Sequence, residues 1–169
     1  MHFNYSNTLA IGFLVFATAL SFTHCASQQS TSSEQVGRYI ENNPEKIWNA
    51  TLEILNAHNL QIVSKNQDDP KVWLIDTAFK KISTRQMRKY ARSRYGYKPN
   101  IITYMQARYK LEIVIEATST NSCSIAIKFK PELLASGTSD YAGQWESGTS
   151  TGAYENELYK SILTLAESK

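Results

Sequence analysis

Few residues of this chain could do chemistry, and their spacing matches no familiar catalytic arrangement. Beyond the first 24 residues there is a single histidine, His58, so there is no pair of histidines to bind zinc and no Cys/His couple close in sequence. Asp68 and Asp69 stand in a turn-like stretch, where aspartate commonly bonds to its own backbone. No phosphate-binding glycine loop, nucleophile elbow or HExxH motif occurs. The sequence predicts no enzyme, with no catalytic residue, no metal site and no cofactor.

Cys123 is expected to pack in the core rather than to act as a reactive thiol. In the stretch SCSIAIKF it alternates with Ile125, Ile127 and Phe129, on the apolar face of a predicted strand. The other cysteine, Cys25, lies close to the N-terminus. If Cys25 is lipidated, Cys123 stands alone and no intramolecular disulfide can form.

The strongest chemical signal is the positive charge of STRQMRKYARSRYGYKP, residues 83–99. Ser83 followed by Gln86 three positions later forms a capping box, and apolar side chains recur at helical spacing after it. The pattern predicts a basic amphipathic helix over about residues 84–95, ended by Gly96 and Pro99. Six residues are predicted to bind a surface through this segment: Arg85, Arg88, Lys89, Arg92, Arg94 and Lys98.

The charge distribution along the whole chain is bipolar. Residues 80–110 contain ten of the eighteen basic residues and none of the fifteen acidic ones. The rest of the chain therefore contains eight basic and fifteen acidic residues. Two readings stay open: a solvated helix neutralised by the acidic remainder, or attraction to anionic lipid or an acidic envelope protein. Nucleic-acid binding is suggested by the interleaved tyrosines. It is disfavoured because the chain is expected to be exported.

The export expectation rests on residues 1–24, which contain no charged side chain and include the apolar run TLAIGFLVFATALSF. The junction SFTHC followed by ASQQSTSSEQ resembles a bacterial lipoprotein signal, which implies lipidation of Cys25. Soluble secretion and an uncleaved anchor are the alternatives, and all three place the protein outside the cytoplasm. Residues 25–36 are rich in Ser and Gln and predict a flexible tether. Residues 37–169 remain for a single domain.

The pattern of that domain begins and ends with a helix. Asn43 and Pro44 suit the start of an amphipathic helix over residues 44–58, and two predicted strands, 60–65 and 71–79, follow as a hairpin. After the basic insertion at 80–99, two longer alternating strands predict a second hairpin. A final helix from Tyr154, capped by Thr151, closes the chain. We expect an α+β fold: a four-stranded antiparallel sheet covered by N- and C-terminal helices.

This element order resembles the helix-grip modules of the C component of the outer-membrane β-barrel assembly machinery, found among small exported bacterial lipoproteins. The resemblance is carried by IWNATLEILNAHNLQIV, VWLIDTAF and WESGTSTGAYENELYKSI and covers residues 43–165, with the insertion at 80–99 as a departure. It implies a fold and a cell-envelope setting and transfers no active site.

We therefore expect a non-enzymatic accessory or adaptor domain in the bacterial cell envelope, held at a membrane through its N-terminal lipid. Its partner is expected to be an envelope protein or anionic lipid, and nucleic acid is not expected. The alternative is a periplasmic carrier of a small ligand or lipid, which would use the gap between helices and sheet. A pocket lined by Trp48, Trp73 or Trp145 would favour the carrier, and a filled core would favour the adaptor.

Overall fold

The computed structural model describes residues 37–93, 103–136 and 142–169. Several predictions fall outside these residues: the signal segment 1–24, the tether 25–36 with Cys25, and the basic residues Arg94 and Lys98. They stay predictions.

The first helix, α1 (Pro44–Ala57), begins where the sequence places it. The Asn43 side-chain oxygen accepts hydrogen bonds from the backbone N–H groups of Glu45, at 2.8 Å, and Lys46, at 3.4 Å. These bonds satisfy two of the backbone N–H groups that the first helical turn leaves without a partner. Pro44 adds no further unpaired donor, because proline has no N–H. Its buried face includes Ile47, Trp48, Thr51 and Leu55, as an amphipathic helix requires. The start and the amphipathic character of α1 are thus confirmed.

The sheet is antiparallel throughout and larger than the four strands predicted. The strands are β1 (Arg38–Ile40), β2 (Ile62–Asn66), β3 (Val72–Thr77), β4 (Lys80–Ile82), β5 (Ala91–Arg92), β6 (Thr103–Ser119), β7 (Ser122–Ser136), β8 (Trp145–Ser147) and β9 (Thr149–Ser150). The central strands of the sheet run in the order β1, β7, β6, β3, β2. In addition, β4 pairs with β6 and β8 pairs with β7, while β5 and β9 form a separate two-stranded ladder. The predicted α+β class is confirmed.

The long hairpin of β6 and β7 forms the centre of the sheet. Its register places Leu111 opposite Phe129 and Ile113 opposite Ile127, all on the face that is buried against the helices. Cys123 is fully buried on that same face, as the alternation of the sequence predicts. Burial raises the pKa of its thiol to about 11, which disfavours the reactive thiolate at neutral pH.

The insertion corrects the predicted helix over residues 84–95. Its helix, α2 (Thr84–Tyr90), starts with Ser83 accepting a hydrogen bond from the Gln86 N–H at 3.2 Å, so the predicted cap is confirmed. The chain then turns into extended backbone at Ala91, which is buried and pairs with Ser150. Pairing with a strand some sixty residues away ends the helix, and no local signal reports it.

The last helix, α3 (Ala153–Glu167), packs against α1, and both lie over the inner face of the sheet. The predicted cap at Thr151 is wrong, because Gly152 takes the N-cap position with a left-handed backbone at φ 78°. The Thr151 hydroxyl accepts a hydrogen bond from the Ala153 N–H at 3.4 Å and donates to the Lys89 carbonyl at 3.0 Å, which ties the insertion to the start of α3. Among the described residues, no helix has both the length and the apolar character needed to span a membrane.

Candidate functional site

A cleft of about 640 Å³ opens at the C-terminal end of α1. Its outer walls are formed by the residues at the end of α1, by β4 and by α2. Its inner wall is formed by Tyr109 on β6 and Tyr154 on α3. The cleft therefore lies where the insertion meets the space between the helices and the sheet. A pocket lined by Trp48, Trp73 or Trp145 was the feature that would favour a carrier, and none of these three residues lines the cleft.

Two of the tryptophans are core residues, and the third lies on the outer face of the sheet. Trp48 and Trp73 are buried and meet edge to face, with ring centroids 5.7 Å apart. The Trp73 Nε1–H donates to the Asp69 carbonyl at 3.0 Å, so its one polar atom has a partner. Trp145 lies on the other side of the sheet, where its ring stacks 4.0 Å from the Arg108 guanidinium.

Two buried tyrosine hydroxyls form the inner wall of the cleft. The Tyr109 and Tyr154 oxygens are 3.0 Å apart, and the Tyr154 oxygen lies 3.4 Å from Nδ1 of His58. The side chains come from β6, α3 and the residue that follows α1, so residues 45 to 96 positions apart in sequence meet at one point. His58 is exposed overall but also contacts Tyr154.

Burial sets the ionisation of these hydroxyls. It raises the pKa of Tyr109 above the ordinary tyrosine value, against a lowering effect of the bond with Tyr154. Burial also raises the pKa of Tyr154, and the bond with Tyr109 adds to that rise. Both groups therefore keep their protons at neutral pH and can act as hydrogen-bond donors.

An aromatic cluster holds these tyrosines in place. Phe129 packs against both Tyr109 and Tyr154, with each pair of ring centroids 5.0 Å apart. Tyr90, near the end of α2, meets Tyr154 edge to face at 5.1 Å. Contacts of this kind are worth roughly 0.5–1.5 kcal/mol beyond the buried area. The cluster thus joins α2 to the sheet and α3 and fixes one side of the cleft.

One wall of the cleft is positively charged. Among the described residues, its lining contains Lys80 and Lys81 and no acidic residue. Lys80 Nζ donates to the His58 carbonyl, which satisfies one of the carbonyl groups that the end of α1 leaves without a helical partner. An ammonium group has three hydrogens, so Lys80 keeps two for other acceptors. The cleft can therefore offer cationic donors as well as the tyrosine hydroxyls.

The predicted surface-binding residues that the structure describes do not behave alike. Arg85, Arg88 and Arg92 are exposed, and Met87 on the opposite face of α2 is buried. Lys89 lies 2.5 Å from a Glu157 carboxylate oxygen, whose hydrogen bond raises the pKa of Lys89. Glu157 therefore neutralises Lys89 locally, which makes Lys89 less available to an anionic surface.

The outer face of the sheet contains a cluster that sequence reasoning missed. The Arg108 guanidinium lies between the Phe79 ring, 4.3 Å away, and the Trp145 ring, and it pairs with Glu132 at 2.6 Å. Strand alternation does place Arg108 on the outer face, but the two rings arrive from distant segments. Beside it, burial would raise the pKa of Glu112, yet Lys130 and Lys110 together hold it below its usual value. Three of the cations on this face are thus already compensated.

Comparisons with known proteins add no assignment: no protein-family model matches the chain, and no curated protein matches it significantly. Within residues 37–93, 103–136 and 142–169, no three His, Cys, Asp or Glu side chains cluster closely enough to hold a metal ion. Two features of the described structure bear on function: the exposed arginines of the insertion and the cleft beside them.

Proposed function

We propose that this chain is a non-enzymatic lipoprotein of the bacterial cell envelope, an accessory or adaptor domain that contacts anionic lipid through its insertion. The domain would be a helix-grip-like module, in which helices from both ends of the folded segment cover one face of a sheet. The signal segment would direct export, lipidated Cys25 would anchor the domain, and residues 25–36 would keep it near the membrane surface. One observation carries the contact with lipid: exposed arginines stand on a firmly fixed element.

The fixation of the insertion supports this proposal. Met87 is buried, Tyr90 joins the aromatic cluster, and the residues after α2 form a ladder with β9. Arg85 and Arg88 lie one helical turn apart, and Arg92 follows on β5. Arg85 and Arg92 form no ion pair with any residue in the described ranges. A fixed group of cations can meet a charged surface without first losing conformational freedom.

The expected strength is moderate and depends on salt. A lysine or arginine near an anionic bilayer contributes about 1 kcal/mol. Screening acts within roughly 8 Å at physiological ionic strength, so added salt should weaken the interaction steeply. Three arginines would then give weak binding by themselves. A lipid anchor would raise the effective concentration of the surface and make such binding useful.

Co-sedimentation with vesicles tests the proposal. Residues 36–169, which include every described element, are mixed with vesicles that contain phosphatidylglycerol or only zwitterionic lipid, at low and high salt. Changing Arg85, Arg88 and Arg92 to Gln should abolish binding to the anionic vesicles and leave the thermal midpoint within a few degrees, since exposed charges contribute about 0–1 kcal/mol each. A matched control changes three exposed lysines elsewhere: Lys65, Lys71 and Lys128.

The control variant should bind the anionic vesicles like the parent. Equal loss of binding in both variants would show that only net charge matters and would contradict a role for the insertion. Binding that is absent or insensitive to salt in the parent would overturn the lipid contact altogether. Retention of an acidic envelope protein in place of lipid would redirect the proposal to a protein partner.

The cleft supports a second candidate function, that of a periplasmic carrier of a small ligand. It opens from solvent into the gap between the helices and the sheet, and its inner wall is formed by polar groups from separate elements. The filled region around Trp48 and Trp73 favours the adaptor at that end of the domain. The two functions are compatible, because the arginines and the cleft use different residues of the insertion.

A further inference from the structure

We infer that the cleft at the end of α1 binds a small anionic ligand built on a ring, such as an aromatic or sugar phosphate or carboxylate. This inference rests on the second candidate function and names its ligand class. It is independent of lipid binding by the arginines. Four features support this ligand class: the size of the cleft, its cationic wall, its ring-lined wall and the scarcity of aliphatic side chains in it.

The size of the cleft suits a small molecule. Its volume of about 640 Å³ falls within the roughly 300–1,000 Å³ that ligand pockets commonly occupy. Pockets that bind small molecules combine a body of apolar or aromatic surface with a few well-placed polar groups. Here Tyr90, Tyr109 and Tyr154 supply the aromatic surface, and polar groups of β4 and α2 supply most of the rest.

The wall formed by β4 and α2 fits an anion. Lys80 and Lys81 contribute positive charge, and no carboxylate in the lining competes for it. Ser83 donates its hydroxyl hydrogen to Oε1 of Gln86 at 2.9 Å, which leaves the Gln86 amide nitrogen with both hydrogens for a ligand. Hydrogen bonds in which the acceptor is charged are about twice as strong as neutral ones. A phosphate or carboxylate group is therefore the best match for this wall.

The wall formed by the tyrosines fits a polar ring. If Tyr154 donates to His58, Tyr109 donates to Tyr154 and offers a ligand only an acceptor. If His58 donates to Tyr154, Tyr154 donates to Tyr109, which then keeps its own hydrogen for a ligand. The hydrogen-bonded chain of His58, Tyr154 and Tyr109 can thus either accept a hydrogen bond from a ligand or donate one to it, at the Tyr109 hydroxyl. Such an arrangement suits a ring that carries a hydroxyl or carbonyl group.

An acyl chain fits the cleft poorly. Within the part of the chain that the structure describes, Ile82 is the one large aliphatic side chain in the lining, and Ala57 adds a single methyl group. Burying a hydrocarbon chain against two ammonium groups and several hydroxyls would remove these groups from water without new hydrogen bonds. The polar and charged lining therefore favours a small anionic ligand over a lipid as the molecule that the carrier would bind.

Binding measurements with defined probes test the inference. Titration calorimetry on the full-length protein compares 4-nitrophenyl phosphate and glucose 6-phosphate with inorganic phosphate, 4-nitrophenol and glucose. At least one ring phosphate should bind about tenfold or more tightly than either of its halves, because both walls then contribute. The aromatic and the sugar arms identify which ring the cleft prefers.

Variants locate the site. Lys81→Gln should weaken the ring phosphate several-fold, and Lys80→Gln/Lys81→Gln about tenfold or more. Lys71→Gln/Lys128→Gln removes two exposed charges outside the cleft and should leave the affinity unchanged. Because Lys80 also bonds the end of α1, circular dichroism must show that the double variant is folded. The single change at exposed Lys81 keeps the test valid if it is not.

Two results would overturn the inference. Ring phosphates that bind no more tightly than inorganic phosphate, or that bind the Lys81→Gln variant as tightly as the parent, would show that the cleft does not select this class. Native mass spectrometry of protein isolated from envelope membranes separates this failure from failure of the carrier function. A retained uncharged lipid would overturn the ligand class while supporting a carrier, and absence of both retained ligand and probe binding would overturn both.

Discussion

The space between the helices and the sheet is built differently at its two ends. At one end Trp48 and Trp73 pack ring against ring, and the single polar atom of Trp73 bonds to backbone at the edge. At the other end Tyr109 and Tyr154 bring hydroxyl groups inside, and a cleft opens beside them. Both ends are aromatic, so the difference lies in the polar atoms.

This difference separates stability from binding. A tightly packed indole stabilises the fold because it buries a large apolar area, and it leaves no surface for a ligand. A buried hydroxyl adds little net stability, because its hydrogen bonds replace bonds with water. It can, however, exchange a protein partner for a ligand. We therefore expect the tryptophan end to dominate folding stability and the tyrosine end to govern recognition.

The largest effect is expected from a cavity at the tryptophan end. Trp48→Ala removes a buried ring and the partner of Trp73, and should lower the free energy of unfolding by about 3–5 kcal/mol. Denaturant titration measures this change. Val63→Ala serves as a control, because Val63 is 60% exposed and its loss should cost less than about 0.5 kcal/mol. Similar midpoints for Trp48→Ala and the parent would contradict the assigned difference between the ends.

A smaller effect is expected at the tyrosine end, with an order that depends on the hydrogen bonds. Tyr154→Phe removes the central hydroxyl and leaves that of Tyr109 without its partner, at a cost of about 1–3 kcal/mol. Tyr109→Phe should cost less, because Tyr154 keeps its contact with His58. Unfolding free energies of the two single variants and the double variant give the coupling. The reverse order would show that His58 contributes nothing.

The smallest effect, a gradual one, is expected from alkaline pH. The pKa values of Tyr109 and Tyr154 are raised by burial in the folded protein, so at high pH the unfolded chain loses protons first. Stability from these groups is complete below the ordinary tyrosine pKa of about 10 and is lost as pH rises above it. Denaturant midpoints should fall more steeply above that pH in the parent than in a Tyr109→Phe/Tyr154→Phe variant. Parallel curves would refute the assignment.

The parts of the fold that the sequence predicts are those with local causes. Asn43 and Pro44 define the start of α1 by their own chemistry, and the alternation through Leu111 and Ile113 identifies the buried face of β6 without any knowledge of its partners. Two hairpins follow from neighbouring runs of alternating residues. Each of these features depends on interactions within a few residues or across one turn.

The remaining features depend on partners that are distant in sequence. The three residues of β1 become a strand because β7 offers an open edge, and Ala91 leaves its helix because Ser150 lies beside it. The cleft depends on a meeting of His58 and two tyrosines from three elements. The alternation that buries Leu111 also buries Tyr109, and Tyr154 lies on the buried face of α3. Their two hydroxyls, each in need of a partner, are the signal that could have suggested a shared site.

The long hairpin of β6 and β7 also bears on the order in which the domain folds. Its strands are joined by a two-residue turn, Thr120 and Asn121, so they can pair after closing only a very short loop. The contacts between α1 and α3 span nearly the whole folded segment and require a much longer closure. The hairpin can therefore act as a nucleus onto which the two helices dock later. In a kinetic analysis, substitutions in the hairpin should slow folding, whereas substitutions between the helices should mainly accelerate unfolding.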